Sequence, residues 1–174
     1  AELVASLPPP KPGEAIGRID IPKIRSEFWV VEGVLLDYLT KGPGHFPSTP
    51  FPGQPGNSAL AGHRPTWAAP FNRIDELSPG DPITVETLQG TFTYEVRGFA
   101  KPGAPEGDPL LGHFIIRPDE TWILDQRPGE NTLTLMACHP KFSADLRIVV
   151  MADLVDNPAP ETPRSEPEAN PDGP

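Results

Sequence analysis

A single cysteine in 174 residues excludes an internal disulfide, because a bridge needs two thiols. Long apolar runs are missing too. No stretch approaches the roughly 18 residues that would cross a bilayer as a helix, and no secretory leader is visible at Ala1-Glu2-Leu3. Basic charge is scarce: 14 Lys and Arg stand against 24 Asp and Glu, for a net charge of −10. With no basic stripe, nucleic acid is excluded as a partner. Part of the acidity lies in Glu161, Glu166, Glu168 and Asp172, where solubility is the simplest reading. His63, His113, Cys138 and His139 show neither CxxC nor HxxxH spacing, so no metal site is expected. No EF-hand pattern, phosphate-cradling glycine loop or GxSxG elbow appears either, and no cofactor is expected.

Proline is what the chain has in quantity, with 26 copies. Each removes a backbone donor and fixes φ, so that many cannot lie within helices or central strands. The spacing predicts a Pro-rich linker over 1–14, a folded domain over 15–155 and an acidic Pro-rich tail over 156–174. Within the domain, short β-like runs alternate with turn signals. They are 15–21, 28–32, 58–62, 83–87, 91–99, 132–138 and 146–154, with weaker candidates at 114–116 and 122–124. Short helices fit at 35–39 and 70–77, the second placing Phe71, Ile74 and Leu77 on one face. About eight strands without a βαβ rhythm predict an all-β fold, a closed or nearly closed barrel with one or two short helices and long loops.

Cys138 ends the run TLTLMAC and is followed by His139-Pro140, which places the thiol at a barrel rim. A cysteine nucleophile needs a base and usually a nearby cation. His139 would point to the opposite face of the strand from Cys138. His63, at the end of the run SALAG, is another rim residue, as base or merely as a loop cap. Arg147 begins the next apolar run, nine residues on. Its fork of donors suits an oxyanion; an ion pair with Asp145 or Asp153 is the plainer alternative.

These residues lie in stretches with a wider likeness. NSALAGHR (57–64), TLTLMACHP (132–140) and Arg147 resemble the three signature stretches of the sortases. IGRIDIPKI (16–24), VVEGV (30–34), GPGHFPSTPFPGQPGN (42–57) and APFNRIDELSPGD (69–81) resemble the actinobacterial class E subgroup, so that the likeness covers about 15–155. The resemblance implies an eight-stranded barrel on the outer face of a Gram-positive membrane, tethered through an N-terminal anchor. It implies Cys138 as nucleophile, His63 as acid/base and Arg147 as oxyanion stabiliser. The implied reaction cleaves a surface protein's LxxTG-type sorting signal (LAXTG or LPXTG) after Thr, through a thioacyl-enzyme. The acyl group then passes to an amine of a peptidoglycan precursor or a pilin lysine. Where the family usually has Thr before the cysteine this chain has Met136 and Ala137, and Trp67 stands where class E chains carry a substrate-reading Tyr. These three are the expected substrate contacts, with Trp122 from the long 101–126 stretch bordering the groove. A Cys-His hydrolase and a non-catalytic barrel module remain as alternatives.

Overall fold

The structure, a computed structural model, describes residues 8–156; the first half of the expected linker (1–7) and the tail after Asp156 lie outside the described residues. Nine strands form one sheet. They are β1 (Ala15–Ile21), β2 (Ser26–Glu32), β3 (Gly44–His45), β4 (Gly56–Ala61), β5 (Pro82–Thr87), β6 (Gly90–Val96), β7 (Phe114–Ile116), β8 (Asn131–His139) and β9 (Leu146–Asp156). One helical turn, α1 (Leu36–Leu39), joins β2 to β3. The sheet runs β6-β5-β1-β2-β3-β4-β8-β9, and a β6–β9 pairing closes it into a ring of eight strands. The ninth, β7, adds to the free edge of β9 beside the site of closure. This is the eight-stranded closed barrel expected from the sequence.

Closure follows from alternation. Ile83 and Val85, Phe92, Tyr94 and Val96, Leu133, Leu135 and Ala137, and Ile148, Val150 and Ala152 all point into one buried core. Each set has the period of two that a strand with one face inward requires. The open end is plugged by Phe71, Ile74 and Leu77 from the β4–β5 connection. These three share one buried face as expected, but residues 70–77 do not form a helix. Only Ile74–Glu76 makes a 3-10 turn, since eight residues opening with a proline do not repay helix nucleation. Likewise Trp122–Leu124 is a 3-10 turn and not a strand. The Ile123 carbonyl accepts from the Asn57 side-chain amide at 2.7 Å, in place of a ladder partner.

A second cluster lies outside the barrel, where Val149 and Met151 pack with Ile116 and Ile123, joined by Phe99, Phe114, Leu124 and Met136. Ile148 to Ala152 of β9 are thus apolar on both faces because both are covered there. Strand directions set the polarity of the molecule. β4 and β8 run parallel and finish at the same end, where β9 begins. β1 starts and β9 finishes at the other end.

Candidate active site

Two neighbouring strands and the connection that leaves a third bring three chemistry-bearing residues to one end of the barrel. Cys138 and Arg147 are direct partners in the antiparallel β8–β9 register, which puts their side chains on one face with Cβ atoms roughly 5 Å apart. On the other edge of β8, Ala61 of β4 pairs with Met136 in parallel, and the Gly62 amide donates to the Met136 carbonyl at 3.0 Å. Two residues further along each strand come His63 and Cys138. Alternation from Asn57, Ala59 and Ala61 carries His63 to the outer face, where Met136 and Cys138 also point.

Each residue has a distinct setting. Cys138 is a free, half-buried thiol. The His63 Nε2 atom is buried with no hydrogen-bond partner, and burial holds its pKa below the ordinary 6.5. That favours a neutral imidazole, able to accept a proton. The His63 carbonyl accepts from the Phe71 amide at 3.1 Å, which anchors the rim to the core plug. One guanidinium nitrogen of Arg147 donates to the carbonyls of Ala144 (2.8 Å) and Leu146 (2.9 Å). Among the described residues Arg147 has no carboxylate partner. Asp153, its alternative partner in the sequence reading, is taken by Arg97 at 2.5 Å. Carbonyls therefore orient Arg147 without neutralising it.

The four expected substrate contacts separate. Trp67 is 60% exposed on the β4–β5 connection, where Trp67, Ala68 and Ala69 all have φ between +48° and +62°. Three consecutive side-chain-bearing residues in this region carry local strain, the kind found where a loop is shaped for a ligand. Met136 is half-buried on the outer face, in the cluster beneath Phe114. Trp122 stacks on Phe114 with ring centroids 5.6 Å apart. Ala137 is the correction: it is 3% exposed and its methyl belongs to the barrel core. Only its backbone remains for a peptide, because alternation turns it away from Cys138.

Sequence reasoning passed over Arg64, Asp75 and Asn57. Arg64 is a buried cation paired with Asp75 at 2.9 Å and bonded to His139 Nδ1 at 2.9 Å. Asn57 holds the turn at Trp122–Leu124 against β4 and accepts from Thr134 at 2.7 Å. The available signal was a polar residue inside or beside an apolar strand end, which demands a partner.

The closed barrel thus brings a histidine, a cysteine and an arginine to one rim. The family model for the sortase domain matches residues 19–155. Sortase D of Bacillus subtilis is 34% identical over 131 residues, covering 75% of this chain and 58% of that protein. Sortase SrtE1 of Streptomyces coelicolor is 32% identical over 163 residues, covering 90% of this chain and 44% of its own length. The chain therefore spans about half the length of these curated relatives. Among solved structures, the SrtF sortase of Corynebacterium diphtheriae superposes with a TM-score of 0.77 at 32% identity, covering 94% of this chain and 95% of that one. The chain belongs to the sortase family.

Proposed function

We propose that this protein is a cysteine transpeptidase that cleaves an LxxTG-type sorting signal after Thr and joins it to an amine. The observation that carries the reading is the common level of His63, two residues past the end of β4, with Cys138 on β8 and Arg147 on β9. Cys138 attacks the Thr carbonyl, and the new C–S bond forms as the carbonyl π electrons move to oxygen. Arg147, oriented by two carbonyls and free of a carboxylate, donates to that oxyanion. His63 takes the thiol proton and delivers it to the leaving Gly amine, whose C–N bond breaks. The incoming amine then attacks the thioester and passes a proton to His63, and the thiolate leaves. Trp67, Met136 and Trp122 line the approach for the residues before Thr. In the full-length protein an N-terminal tether holds the barrel on the outer face of the cell membrane, and the acceptor amine comes from a peptidoglycan precursor or a pilin.

The test is cleavage of fluorogenic LAXTG and LPXTG peptides, with and without an amine acceptor, beside Cys138→Ala. Cys138-dependent cleavage with amine-linked product is expected, and Arg147→Ala should lose at least about a hundredfold in kcat/KM. Product released only to water would make the enzyme a hydrolase. Full turnover in Cys138→Ala would refute the scheme.

A further inference from the structure

Arg64 directly follows His63 in the chain and is only 2% exposed. Its guanidinium reaches three partners on separate segments: Asp75 Oδ1 at 2.9 Å, His139 Nδ1 at 2.9 Å and the Asn72 carbonyl at 3.4 Å. A guanidinium can only donate. His139 Nδ1 must therefore accept, which leaves the single proton of its neutral ring on Nε2. His139 in turn directly follows Cys138. One planar cation thus joins the neighbour of the base to the neighbour of the nucleophile, with Asp75 as its counter-charge. Only the cation is buried, since the Arg64 side chain is 3% exposed and the Asp75 side chain 41%. Desolvating a guanidinium is costly and gains little stability over an apolar residue of the same volume, so its presence calls for another account.

Building on the reading of the site above, we propose that Arg64 and Asp75 form a positioning pair. It fixes the placement of His63 against Cys138 and balances the charge around them. The other groups facing the pair are His139, His113 and, beyond Asp75, Arg73, Lys141 and Glu76. Burial is the first cause that holds both His113 and His139 below the ordinary histidine value, and the Arg64 charge adds to it. They are neutral near pH 7 while the pair is intact, with the Asp75 charge opposing that of Arg64 on both. For Asp75, burial alone would raise the carboxyl, but the hydrogen bond and charge of Arg64 outweigh it and hold it low. Removing Arg64 therefore leaves an uncompensated anion facing His113 and His139, the residue that follows Cys138. Removing the Asp75 charge leaves an uncompensated cation.

Cys138 is the only thiol in the chain, so alkylation by iodoacetamide reports on it alone. Its rate is followed against pH, together with kcat and KM for peptide cleavage, in the wild type, Arg64→Gln, Asp75→Asn, the double variant and Arg64→Lys. Melting curves confirm that each variant is folded. The midpoint of the alkylation profile should rise by roughly half a pH unit in Arg64→Gln and fall by a similar amount in Asp75→Asn. In the double variant it should return. Loss of the tether should lower kcat by about tenfold or more in Arg64→Gln and in the double variant, with KM changed far less. Arg64→Lys should keep the wild-type midpoint and recover only part of kcat, since an ammonium cannot hold three partners in one plane. Shifts of the same sign in both single variants, or no shift with kcat unchanged, would overturn the proposal. If Arg64→Gln does not fold, Asp75→Asn decides, because its carboxylate is 41% exposed and its loss is tolerable; an unmoved midpoint there is fatal. Moved midpoints without peptide cleavage in the wild type would refute the transpeptidase reading and leave the pair standing. Cys138-dependent cleavage with unmoved midpoints and kcat would refute the pair alone.

Discussion

Replacing Asn57 with alanine should cost far more than the removal of one small polar side chain suggests. Asn57 is 3% exposed, and its amide does two jobs at once. The NH2 group donates to the Ile123 carbonyl at 2.7 Å, and the oxygen accepts from the Thr134 hydroxyl at 2.7 Å. Thr134 is fully buried, so water cannot take over as its partner. Alanine orphans both partners, at about 1–3 kcal/mol each, or roughly 2–6 kcal/mol in all. Against the 5–15 kcal/mol typical of a domain, that is a large fraction. Urea unfolding followed by far-UV circular dichroism should show a lower midpoint at constant m-value. Thr134→Val closes a double-mutant cycle, because the double variant lacks both ends of one bond. The summed single losses should exceed the double loss by about 1 kcal/mol. A loss below about 1 kcal/mol in Asn57→Ala, or strict additivity in the cycle, would refute the reasoning. Loosening the Trp122–Leu124 turn should also raise KM for peptide several-fold, with the alkylation rate of Cys138 unchanged.

Three further outcomes follow from the same structure. A Cβ on Gly62 would sit 2.5 Å from the buried Phe71 ring, so Gly62→Ala should destabilise by about 1–3 kcal/mol. Displacing the adjacent His63 should also lower kcat by more than about tenfold, read by thermal melts and peptide cleavage. Tyr94→Phe removes the hydroxyl that accepts from the Gly53 amide at 2.7 Å; denaturant melts should show a loss of about 1–2 kcal/mol. His63, His113 and His139 all have pKa values depressed by burial below the ordinary 6.5. The unfolded chain then binds protons more readily than the folded one. Stability should be flat above about pH 6.5 and fall as acid takes the solution through that value toward the depressed ones. Melting at pH 7.5 and 5.5 tests this, and a higher melting temperature at pH 5.5 would contradict it.

Much of the barrel could be read ahead because its strands obey a period of two. Phe92, Tyr94 and Val96 signal β6, and Leu133 and Leu135 signal β8, with no knowledge of their neighbours. The same alternation, continued to Ala137, already turns its methyl away from Cys138; the family likeness obscured what the pattern said. β3 escaped notice because two residues have no period. It is held by its strand pairing and by buried His45, whose Nδ1 lies 2.8 Å from a Glu32 oxygen. Arg147 could be placed beside Cys138 because a short loop returns the chain antiparallel. The position of His63 depends on a parallel β4–β8 pairing between strands some 75 residues apart, which no local signal encodes. The partners of Arg64 were hidden for the same reason: His139 lies 75 residues away in sequence.

The last strand serves two ends at once. β9 pairs with β8 along one edge and with β7 and β6 along the other, and it carries Arg147 at its start. A chain delivered from its N-terminus, whether from a ribosome or through a translocation pore, reaches Cys138 before any of this exists. Until Leu146–Asp156 has emerged, the thiol lacks its facing guanidinium and the interior stays open to water. The Cys138 thiol and the guanidinium that faces it are therefore brought together only by β9.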